Sequence, residues 1–63
     1  MDNNLKAALI DAVNERGYDM EEMLHAKFSN ITLVTIKMGI EKKHAIVNNY
    51  DTLKQILKKL HIK

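Results

Sequence analysis

Apolar side chains recur at Leu5, Ala8, Leu9, Ala12 and Val13, three and four residues apart, which places one stripe along one face of a helix from about Asn4 to Arg16. Asn3 or Asn4 offers its N-cap, and Gly17 supplies the left-handed residue that ends it. Asp19-x-x-Glu22 then reads as a capping box opening a second helix. Glu21 and Glu22 sit at the positive end of its dipole, and Met23, Leu24, Lys27 and Phe28 continue it. Ser29-Asn30 brings two short polar side chains that break one helix and cap the next.

The pattern from Ile31 to Met38 points two ways. Ile31, Thr32, Val34, Thr35 and Ile36 are β-branched and suit a strand. A lone strand without a second strand-like segment, however, has nowhere to place its backbone hydrogen bonds. The expectation is therefore a short third helix with Leu33 and Ile36 inward and Ile31, Thr32, Val34 and Thr35 outward. After Gly39, residues 40–49 are expected to form a weaker fourth helix burying Ile40 and Val47, with Ile46 and Tyr50 as further candidates for burial. Thr52-Leu53-Lys54-Gln55 is a capping box for a fifth, whose Leu53, Ile56, Leu57 and Leu60 share one face. The fold class expected is all-α: a single domain over residues 1–63, a compact bundle of five short helices.

Composition narrows what such a domain does. A chain of 63 residues buries only about 60% of the surface its unfolded form exposes. It has no cysteine to staple it, so close helix packing or self-association must enlarge the core, and a homodimer is expected. Its surface is expected to be the fourth helix and the exposed part of the fifth, with Tyr50 either a contact there or a core residue whose hydroxyl reaches the surface. The absence of cysteine and the acidic, polar start Met1-Asp2-Asn3-Asn4, unlike a secretory signal, favour a cytoplasmic location. Apolar runs of a few residues fall far short of the roughly 20 that span a bilayer, so no membrane role is expected. Charge is unevenly placed. Residues 1–30 carry three basic and six acidic groups, a net −3, and residues 31–63 carry seven lysines and two acidic groups, a net +5. One end is therefore suited to an anionic partner such as nucleic acid, unless the lysines are only the solvated face of the last helix.

The side chains that catalysis requires are not grouped. Ser29 is the one serine and falls in a turn, and His25, His44 and His61 are too far apart in sequence to share a helical turn. No spacing matches a metal motif, and Gly17 and Gly39 are isolated helix stops, not a phosphate loop. His44 reads as a partly buried neutral histidine on the apolar side of the fourth helix. No enzyme activity, cofactor or metal is expected.

The order of the elements resembles the helix-turn-helix domain of the lambda-repressor-like family of Cro and phage-repressor proteins. Glu15-Arg16-Gly17, Asp19-x-x-Glu22-Met23, Thr32 to Gly39, and Thr52-Leu53-Lys54-Gln55-Ile56-Leu57-Lys58-Lys59-Leu60 follow that pattern in order over essentially the whole chain. The turn Phe28-Ser29-Asn30 is one residue shorter than the family's, and Met20 stands where the family has a glutamine. The resemblance implies a homodimeric DNA-binding transcriptional regulator whose third helix enters the major groove. By the same resemblance, Asn30, Thr32 and Thr35 would contact bases, with Ile31 or Val34 against thymine methyls. Lys27, Lys37, Lys42 and Lys43 would contact phosphates. The alternative keeps the fold but gives it a protein partner, as in a small phage antirepressor or an inhibitor of a host protein, with Ile31, Val34 and Met38 as the patch.

Overall fold

A computed structural model describes residues 1–26 and 28–62. Helix α1 (Asn3–Glu15) leads into three strands, β1 (Asp19–His25), β2 (Ile31–Met38) and β3 (Glu41–Asn48), and helix α2 (Leu53–Lys59) closes the chain. The strands form one antiparallel sheet in the order β1-β2-β3. The architecture is thus two helices on a three-stranded antiparallel sheet, and it corrects the expected all-α bundle. The first and last of the five expected helices are present. The three between them are strands, and no helix-turn-helix is formed among the described residues.

The hydrogen-bond account that argued against a strand at Ile31–Met38 is what the sheet resolves. β2 has a partner on each side, Met23 opposite Val34 in β1 and Ala45 opposite Val34 in β3. Both partners were concealed by residues that favour helices in isolation, Glu21, Glu22 and Met23 in one and Glu41, Lys42 and Lys43 in the other. Tertiary pairing overrides such propensities.

Both helix termini follow their sequence signals closely. Asp2, one residue before the expected caps, accepts the Leu5 N–H at 2.8 Å. At the far end of α1 the Gly17 N–H donates to Asn14 O and the Tyr18 N–H to Val13 O, with Gly17 at φ +81°. That is a Schellman closure. α2 begins with the full capping box, Gln55 N–H to Thr52 Oγ1 at 3.3 Å and Thr52 N–H to Gln55 Oε1 at 2.8 Å. It ends in a second Schellman closure, with His61 at φ +57° in the position that glycine fills in α1.

Between β2 and β3 lies a two-residue turn, Gly39-Ile40, flanked by the pair Met38 and Glu41. Gly39 has φ +67° and Ile40 does not have positive φ, which makes this a type II′ turn, whose twist matches that of the strands.

Alternation along the strands divides the sheet into two faces. One carries Met20 and Met23 of β1, Val34, Ile36 and Met38 of β2, and Ala45 and Val47 of β3. Against it pack Leu9 and Val13 of α1, Ile56 of α2 and its C-cap Leu60, and these residues form the core. Val34, expected outward, is fully buried. Leu33, expected inward, points to the other face. The change from a period of 3.6 to a period of 2 moves each to the opposite side.

Candidate interaction surface

Both helices lie on the same side, so the second face of the sheet is open. Across its middle Leu24, Leu33 and Ile46 stand opposite one another on the three strands. They are 52%, 37% and 61% exposed, and Ile31 extends the row along β2. Cross-strand neighbours on one face touch, so these residues form one continuous apolar strip.

A charged end adjoins it. Glu22, Thr35 and His44 form the next row, and Asp19, Lys37 and Lys42 the row at the end of the face. The ladder slips between Met20 and Glu22, a bulge that places Glu21 as an extra residue on β1. From there Glu21 reaches across β2 to Lys42, carboxylate to ammonium at 3.0 Å. Beneath this pair lies a recess of about 260 Å³ lined by Glu21, Glu22, Thr35, Lys42 and His44. Thr35 is buried at its floor, and its hydroxyl shares a 2.9 Å hydrogen bond with His44 Nδ1. The ion pair is partly exposed at both ends, where such pairs contribute little to stability and serve mainly to set the charge pattern.

The residues to which the helix-turn-helix resemblance gave DNA contacts are not brought together. Thr32, Val34 and Lys43 belong to the helix-covered face: Thr32 is buried with its hydroxyl 3.3 Å from His25 Nδ1, and the Lys43 ammonium reaches His61 O at 3.5 Å. Ile31, Thr35, Lys37 and Lys42 lie on the open face. Asn30 sits in the β1–β2 connection, where its backbone O accepts from Asn49 N–H at 2.9 Å and its side chain from Asn49 Nδ2 at 3.3 Å. Lys27 lies outside the described residues. Of the alternative patch, Ile31 is on the open face, Val34 is core and Met38 packs against the core. His44, expected half-buried on a helix, is exposed on β3, and the proposed dimer helix over residues 40–49 is that strand.

Leu24, Leu33, Ile46, Glu22 and His44 are not among the contact residues that the sequence offered. One signal for them was present. Ile31-Thr32-Leu33-Val34-Thr35-Ile36 is apolar or β-branched at every position, the pattern of a strand covered on both faces, whereas a strand with one wet face alternates. The described helices cover only one of those faces.

Among the described residues no three His, Asp or Glu side chains gather as a metal site, and no helix is long and apolar enough to cross a membrane. Comparison with protein-family models, curated proteins and solved structures returns no match to this chain.

Proposed function

We propose that the chain is a non-catalytic binding module that docks a protein surface on the open face of its sheet. The observation that carries this reading is the apolar strip of Leu24, Leu33 and Ile46, extended by Ile31, on a face that neither described helix covers. Contiguous exposed apolar side chains rimmed by polar ones mark interaction sites. This reading keeps the protein partner that the sequence offered as an alternative and moves the patch from a helix to a sheet.

Strands also enter DNA grooves in some regulators. Here the basic groups of the face, Lys37 and Lys42, meet Asp19, Glu21 and Glu22. That local cancellation removes the net positive field that phosphate binding draws on.

The test is photo-crosslinking from benzoylphenylalanine placed at Leu33, with the same probe at the exposed Lys54 of α2 as control. Adducts to protein formed from position 33 and not from position 54 are expected. Adducts from neither position would overturn the reading, and salt-sensitive binding to random duplex DNA that Lys37→Ala and Lys42→Ala weaken would replace it with a nucleic-acid partner.

A further inference from the structure

We infer that the occupant of the open face is a second copy of this chain, stacked face to face about a twofold axis that runs along β2. The inference rests on the reading of that face as a protein-docking surface and adds its partner and geometry.

Charge selects this arrangement. Asp19, Glu21 and Glu22 lie on β1 at one side of the face, and Lys42 and His44 on β3 at the other. The division continues into the rest of the fold: α1 packs beside β1, and α2, with Lys54, Lys58 and Lys59, packs beside β3. The charge asymmetry between the two halves of the sequence is therefore an asymmetry across the sheet, with β2 as its midline.

A twofold axis along β2 exchanges the two sides. It sets each β1 against the partner's β3 at the same height. Leu24 then meets Ile46 of the other copy, Leu33 meets its own counterpart, and Glu22 meets His44. The Glu21–Lys42 ion pair of each copy lies over the same pair reversed, so four charges alternate in sign. The alternative axis, across the strands, also stacks the apolar row on itself. It lays the charged end over the Ile31 and Asn48 end, where nothing complements it. An isologous interface must be self-complementary, and only the axis along β2 satisfies both rows. It also gives the aligned packing, about 30° between strand directions, that stacked sheets adopt. That crossing splays the strand ends and separates the two Lys37 ammonium groups near the axis.

The size of the face sets the affinity. Three strands of about eight residues present a plane of about 350 Å², and two such faces with their side-chain relief bury on the order of 1,000 Å². That is the low end of specific interfaces, so the dimer is reversible, with a Kd on the order of 10–100 µM.

Sedimentation equilibrium of the purified chain from about 2 µM to about 1 mM tests this directly, with circular dichroism confirming that each variant is folded. Wild type is expected to pass from monomer to dimer and stop there, and Leu33→Asp to stay monomeric. Glu22→Lys replaces the carboxylate that faces the imidazole of His44 with an ammonium, and His44→Glu sets two carboxylates together, so each alone should weaken self-association about tenfold or more. In an equimolar mixture of these two variants, the introduced lysine of one copy faces the introduced glutamate of the other, and the unaltered Glu22 and His44 face each other at the symmetry-related contact. The mixture should associate within about threefold of wild type. Wild type that remains monomeric, a mixture no stronger than its components, or species growing beyond the dimer by edge pairing would each overturn the inference. If the probe at position 33 then crosslinks only a different protein, the docking face stands and the second copy falls; if it crosslinks nothing, both fall.

Discussion

Val34 and Leu33 are adjacent in the chain and lie on opposite sides of the sheet, so a pair of substitutions tests the strand directly. Val34 is completely buried between the sheet and the two helices, whereas Leu33 is 37% exposed on the open face. Val34→Ala removes two methyl groups from a closed site. Their transfer contributes about 1.6 kcal/mol, and the void that a clamped sheet and two helices cannot fully close adds about another 1 kcal/mol. The total of about 2.5 kcal/mol is a large share of the roughly 3–9 kcal/mol that a domain of this length possesses. By the size scaling of unfolding entropy it lowers Tm by roughly 10–20 °C. Leu33→Thr keeps a strand-compatible side chain on an exposed site and should cost about 1 kcal/mol or less. The assay is urea unfolding followed by circular dichroism at about 2 µM protein, dilute enough that self-association does not contribute. A helix over these residues would reverse the order, with Leu33 inside and Val34 outside. If Leu33→Thr proves more destabilising than Val34→Ala, the assignment of faces is wrong.

Three further outcomes follow from the backbone and the charges. Gly39→Ala meets no neighbouring atom but must hold φ +67°, so it should cost about 1–2 kcal/mol in thermal unfolding. D-alanine at the same position, introduced by chemical synthesis, should cost nothing; equal losses for both would refute the type II′ turn. His61 carries a side chain at φ +57° where α1 uses glycine, and His61→Gly should therefore stabilise the chain by about 1 kcal/mol in urea titrations. Asp51 is held below its ordinary carboxylate value of 3.8 by the Lys59 ammonium first and by the Asn48 N–H second. A lowered carboxylate pKa adds stability that is complete above the unfolded value and is lost as pH falls through the folded one. The difference in stability between wild type and Asp51→Asn should accordingly be flat from about pH 5 to 7 and shrink below about pH 4; a difference that grows on acidification would contradict the ion pair.

The parts of the fold that were legible in the sequence are those whose signals are local. α1 is expected from Asn4 to Arg16 and found at Asn3–Glu15, and the α2 capping box is found as expected. Caps and 3.6-residue stripes are decided within one or two turns, so distant residues do not overrule them. The sheet depends on distant pairs. Asp19-x-x-Glu22 has the composition of a helix start, yet Met20 and Met23 face the core from a bulged strand, and that bulge breaks the strict alternation by which a strand is recognised. In β3, Lys43, Ala45 and Val47 face inward while Lys42, His44 and Ile46 face out, so polar and apolar side chains occur on both sides and neither period stands out. The DNA-contact set of residues 30–35 was lost for the same reason. On a helix Thr32 and Thr35 would share a face, whereas on a strand an odd spacing puts them on opposite ones.

The strand order also bears on how fast the chain reaches this state. Each strand pairs with its sequence neighbour, and each helix packs beside the strand next to it in the chain. Nearly all contacts are therefore made between segments separated by a short turn. The loop-closure entropy opposing each step is small, which places the domain among fast-folding topologies. Among the described residues the long closures tie the N-terminal segment to the later half of the chain, α1 against α2 and the Met1 ammonium to Asn49 Oδ1 at 3.2 Å, and they join the two ends once the meander exists.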